Sequence, residues 1–80
     1  MRHREHLELE IQLGKTFLAM GCMEVQLGEA AGAARSFQHA RVALRGARKG
    51  ILRITDFATG ERDQFRARIA AIEALMPEAV

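Results

Sequence analysis

Three histidines, one cysteine and a run of cations are the side chains of this 80-residue chain whose types and spacing bear on chemistry. His3 and His6 stand about one helical turn apart, and Glu10 follows a turn later on about the same face. Two imidazoles and a carboxylate are metal donors, but a closed zinc site takes four ligands. No fourth donor is placed nearby, and the first turn of a chain frays. No metal site is expected. Cys22 is the only cysteine, so no disulfide forms within the chain. Among Met20, Met23 and Val25 it reads as a small buried hydrophobe, and a lone cysteine fits a reducing compartment. His39 lies beside an apolar seam with no carboxylate to orient it, which describes a partly buried surface residue and not a general base. The sequence contains no Gly-rich phosphate loop, nucleophile motif or cysteine pair. The chain reads as a non-enzyme, with no catalytic residue and no cofactor expected.

The cations are concentrated. Residues 30–55 carry six basic side chains and no acidic one, whereas the segments on either side each carry three bases against five acids. Arg41, Arg45, Arg48, Lys49 and Arg53 form the candidate basic patch. One reading is an electrostatic footprint for nucleic acid or an acidic partner. The other is a solvated face, neutralised in part by the acidic segments across the fold. A net charge of only +2 and the lack of Trp or Tyr as stacking platforms favour the second. Gly46 and Gly50 are four apart but enclose charged residues, which is not a membrane-dimer motif.

Helices must position these side chains. Ala, Leu, Glu, Arg and Gln are abundant, the one proline is Pro77, and no alternating β-branched run occurs. The expectation is an all-α, three-helix bundle occupying residues 1–80 as a single domain. The first helix spans about 4–27 with two adjacent apolar stripes: Leu13, Phe17, Met20 and Leu27, and Leu7, Ile11, Leu18 and Val25. Gly14 and Gly21 fall on the second stripe, where another backbone can approach closely. Gly28 reads as a left-handed C-terminal cap.

The second helix spans about 29–54. Ala30, Ala33, Phe37, Ala40, Leu44, Ala47, Ile51 and Ile54 recur at three- and four-residue spacings, a narrow seam of mostly small residues. An end near Arg45 or Lys49 is the alternative, because glycine disfavours helix interiors. The unbroken apolar phase favours one helix, bent at the glycines. A third helix spans about 60–76, with Thr59 or Asp56 supplying the N-cap oxygen. Phe65, Ile69, Ile72 and Met76 form its stripe, and Pro77 stops it. The charged N-terminus lacks a secretory signal, and no apolar run approaches the roughly 20 residues of a membrane span. A cytoplasmic protein is expected. Met1 and the short tail after Pro77 suit a complete chain.

Phe17, Met20 and Gly21, then Gly28, then Ala33, Phe37 and Ala40 resemble one tetratricopeptide-type helical hairpin over about residues 17–44. The resemblance implies close packing at Gly21 and a Phe37 side chain filling the gap between Ala33 and Ala40. Such repeats, of about 34 residues, stack into arrays whose concave face holds peptides. Glu24 departs from the pattern at an aromatic position, Arg45 stands where a proline is usual, and the motif does not restart after Ile51. The function expected is a protein–protein interaction module, binding a protein, a peptide or a second copy as a homodimer. Its contact residues are expected to be Leu7, Ile11, Leu18 and Val25. A small nucleic-acid-associated regulator using the basic helix is the alternative.

Overall fold

The computed structural model describes residues 2–77. They form three α-helices and, among the described residues, no strand: α1 (Arg2–Gln26), α2 (Ala30–Ile51) and α3 (Glu61–Leu75). Met1 and the tail beyond Pro77, on which the expectation of a complete chain rests, lie outside the described residues.

α1 and α2 pack as an antiparallel hairpin. Their turn follows from Gly28, whose φ of 75° is left-handed. The Glu29 amide donates to the Glu24 carbonyl (2.8 Å) and the Gly28 amide to Val25 (3.1 Å). This pair of bonds satisfies carbonyls that a helix end otherwise leaves bare. Along the contact, glycines on each helix receive side chains from the other. A Cβ at Gly21 would stand 2.5 Å from the Phe37 ring, and one at Gly14 would stand 2.6 Å from Leu44. The α2 seam is buried from Ala33 through Phe37, Ala40, Leu44, Ala47 and Ile51, while Ala30 at its start is exposed. Small residues bring the helices close, and Phe37 and Leu44 are the knobs.

The second helix runs unbroken through Gly46 and Gly50 and ends at Ile51, so it does not stop at Arg45 or Lys49. Two α1 groups occupy the notch that these glycines leave. Glu10 lies against Gly46, and Leu7 approaches Gly50. Ile54 continues the apolar phase outside the helix and stays buried.

α3 lies across the hairpin through Phe65, Ile69 and Ile72. Its N-cap corrects the expectation of Thr59 or Asp56: Gly60 takes the position at φ 83° with no side-chain cap bond. Two competing partners explain this. Asp56 is drawn to Arg4 of α1 (3.3 Å), and the Glu61 carboxylate reaches back to accept from the Ala58 amide (2.9 Å). Among the described residues, three long-range ion pairs join α3 to the hairpin, each through one α3 side chain: Glu61 with Arg4, Arg68 with Glu8, and Glu73 with Arg48. Phe57 of the connecting loop sits under the Arg4 and Arg62 guanidinium groups and beside Phe65.

Candidate functional site: the outer face of the first helix

Of the expected contact residues, three belong to the intramolecular core. Leu7 and Ile11 are 0% exposed and Leu18 is 8% exposed, whereas Val25 is 59% exposed. The correction has a clear cause. Leu7, Ile11 and Leu18 share a stripe with Gly14 and Gly21, and the close approach that those glycines permit is taken up by α2 of the same chain. Val25 escapes because the hairpin reverses just beyond it.

Val42, Leu52 and Leu75 are exposed singly elsewhere, but on the outer side of α1 Leu9, Leu13, Met20, Met23 and Leu27 stand together, each between 44% and 67% exposed. With Thr16 between Leu13 and Met20, they fall at spacings of four, three, four, three and four. Such a period keeps a row of side chains along one line of the helix. From Leu9 to Leu27 the row is about 27 Å long at 1.5 Å per residue. Two residues of offset, or about 200° of helical rotation, separate it from the buried stripe. α2 and α3 therefore both lie behind α1 as seen from this face.

The flanks of the row carry little free charge. On one side stand Gln12, Ala19 and Gln26, all exposed. On the other stand Glu10, Phe17 and Glu24. Phe17 is half-buried with its ring 5.0 Å from His39, which is itself exposed. Glu24 turns inward to accept from the Ser36 hydroxyl (2.6 Å) in the space beside Gly32. Glu10 turns inward at Gly46, with the His6 Nε2 3.6 Å from its carboxylate. Glu10 and Glu24 are thus drawn into the hairpin, while Glu5, a turn before Leu9, stays exposed. Cys22 is exposed, contrary to the expectation of a buried thiol; it lies beyond the Ala19 and Gln26 flank and outside the stripe of Gly14 and Gly21 that meets α2.

The basic helix is divided in its engagements. Arg48 binds Glu73 through two nitrogens, and Arg41 donates to the Pro77 carbonyl (3.0 Å). These two, with Arg45, Leu44, Glu73, Met76 and Pro77, line a cleft of about 530 Å³. Arg45, Lys49 and Arg53 are exposed and make no ion pair among the described residues. His3 is exposed, and no group of three or more metal-donor side chains comes together among the described residues.

The ion pairs shift their carboxyls in one direction. The hydrogen bond from Arg4, helped by the Ala58 amide, brings Glu61 down to about 2. Arg68 lowers Glu8, and Arg48 lowers Glu73, in each case chiefly by hydrogen bonding. The charges therefore fasten α3 and leave the α1 row without an ionic partner among the described residues.

Sequence reasoning did not single out Leu9 and Met23 as exposed, and three of the four contact residues it named, Leu7, Ile11 and Leu18, lie in the core. The signal that separates the stripes is the glycine pair. A row containing Gly14 and Gly21 must face a neighbour that is already close, so the glycine-free row is the one left outside. No helix among the described residues is long and apolar enough to cross a membrane. No protein-family model, curated protein or solved structure matches the chain.

Proposed function

We propose that this chain is a non-catalytic protein–protein interaction module that presents the outer row of α1 to a partner helix. The observation that carries the reading is the row itself: five long apolar side chains at coiled-coil spacing, exposed along about 27 Å of α1 and the first residue beyond it. Scattered surface hydrophobes are ordinary, but a contiguous apolar stripe is a docking surface for an amphipathic helix. The likeness to a tetratricopeptide hairpin supports a scaffold role, through the contact of Gly21 with Phe37 between Ala33 and Ala40. Its departures narrow the likeness. Glu24 fills the aromatic position by bonding Ser36, and a single hairpin has no concave array.

A second reading has one observation in its favour. Arg45 and Lys49 on α2 and Arg53 just past its end are exposed, and a nucleic acid or acidic surface would find them there. Affinity purification from the native host, with and without nuclease, separates the two. Proteins captured by the wild-type chain should survive nuclease, survive Arg45→Glu/Lys49→Glu, and be lost with Met20→Glu. Material that disappears with nuclease and with the charge reversal, but persists with Met20→Glu, would make α2 the functional surface.

A further inference from the structure

We infer that the occupant of the α1 row is a second copy of this chain, its α1 laid antiparallel on the first; this rests on the row being a partner surface. The argument is self-complementarity. Turned end for end about the level of Leu18, the row falls on itself. Leu9 then faces the partner's Leu27, Leu13 faces the partner's Met23, and Thr16 faces the partner's Met20. Every layer joins the two alternating positions of the heptad, as antiparallel helix pairs at this period require.

The flanks agree with that register. Gln12 comes beside the partner's Gln26, and Ala19 beside the partner's Ala19, with no charge on either side. On the opposite flank Phe17 meets the partner's Phe17. Glu10 and Glu24 would bring like charges together there, but each is turned into its own hairpin, toward Gly46 and toward Ser36. Parallel pairing in register does worse. It sets Glu5 beside the partner's Glu10 and aligns the two helix dipoles, which the antiparallel arrangement opposes. The cations of α2 also stay apart, because α2 packs on the Leu7, Ile11 and Leu18 face of α1, behind the row.

The full chain tests this directly. Sedimentation equilibrium over a range from low to high micromolar should show the mass doubling with concentration. Met20→Glu should hold the chain monomeric with unchanged helical circular dichroism. Leu27→Glu, at an exposed position just past the helix end, is the second variant should Met20→Glu disturb folding. For orientation, in a Cys22→Ser background, Ala19→Cys should be joined to itself by a short thiol cross-linker. Leu13→Cys should not, since its two copies stand about 15 Å apart along the axis. A chain that is monomeric at every concentration overturns the inference, as does cross-linking through Leu13→Cys. A monomer whose host partner is lost with Met20→Glu would retire the second copy and keep the partner surface. A monomer whose host partner survives Met20→Glu would retire both.

Discussion

Glycine-to-alanine substitution should have opposite signs at two places in this hairpin, and the structure sets the sizes. In a helix interior the exchange gains about 1 kcal/mol from backbone entropy alone. At Gly21 the new methyl would lie 2.5, 2.7 and 2.8 Å from three atoms of the Phe37 ring. The ring is no flexible chain end: Phe37 is buried and held between the helices. Either it leaves its place or α1 and α2 separate, and overpacking of this kind costs about 1–3 kcal/mol. Setting that against the intrinsic gain leaves a destabilisation of about 0–2 kcal/mol, and because three ring atoms of a buried side chain must give way Gly21→Ala should fall in the upper half of that range. For a domain of this size each kcal/mol moves Tm by roughly 4–8 °C.

At Gly50 the same methyl meets only ordinary contacts, 3.6 Å to Glu10 and 3.8 Å to Leu7. The intrinsic gain survives there, reduced to about 0.5 kcal/mol because Gly50 lies in the last turn of α2. Gly50→Ser should gain more. Glu10 has a buried carboxylate oxygen with no hydrogen-bond partner, whereas Glu24, two heptads on, accepts from Ser36. A hydroxyl at residue 50 would complete the equivalent pair, adding about 1 kcal/mol. Thermal and urea unfolding followed by circular dichroism, at one fixed concentration, would measure all three variants. A Gly21→Ala protein as stable as wild type would refute the close-packing account. A Gly50→Ser protein no better than Gly50→Ala would refute the account of Glu10.

Other outcomes follow from the same packing. Leu18→Glu should unfold the monomer, since it buries an unpaired carboxylate in the core. The cost, about 4 kcal/mol or more, rivals the whole stability of a small domain, and helical signal retained at wild-type Tm would contradict it. Cys22 should react with a thiol reagent in native buffer, and a reaction that required denaturant would contradict its exposure. α3 should loosen in acid before the hairpin does. Glu61 titrates at about 2 when folded against an ordinary 4.5, and Glu8 and Glu73 are also lowered, so their contribution is complete above about 4.5 and fades as pH falls toward 2. Amide NMR shifts of Phe65, Ile69 and Ile72 should move before those of Ala40 and Leu44, and simultaneous loss would refute the order.

Much of the architecture was legible because periodicity and glycine punctuation act locally. The α2 seam from Ala33 to Ile54 is buried as its spacing indicates, and Gly28 turns the chain where a left-handed residue is needed. What failed was assignment that depends on a third element. Two stripes on α1 are equally apolar, and only the knobs Phe37 and Leu44 decide which faces inward. The α3 cap failed for a similar reason. Asp56 is a good capping residue in isolation, but Arg4, more than fifty residues away in sequence, draws it off. The solvated reading of the basic patch was half legible: charge opposition across the fold suggested pairing, and the particular bond of Arg48 to Glu73 required α3 to be in place.

The exposed row is a consequence of how the hairpin is made. Small residues at the α1–α2 contact bring the helices so close that each gives up only one narrow stripe to the other. α3 covers part of that hairpin on the same side, which leaves the opposite face of α1 without a neighbour. A chain of this length buries only about 60–65% of its unfolded surface, so what remains outside matters. Five side chains, each about half exposed, would gain roughly 1 kcal/mol apiece on burial, or about 10 kcal/mol for two copies. Association costs about 4–15 kcal/mol in lost freedom, so a dimer through this row alone should be weak, of micromolar affinity or looser. Because the dimer would draw on the native state alone, Tm should then rise with protein concentration in the wild type and stay flat in Met20→Glu. A flat wild-type Tm across the range in which sedimentation reports dimer would mean that the copies associate through some surface that unfolding leaves intact.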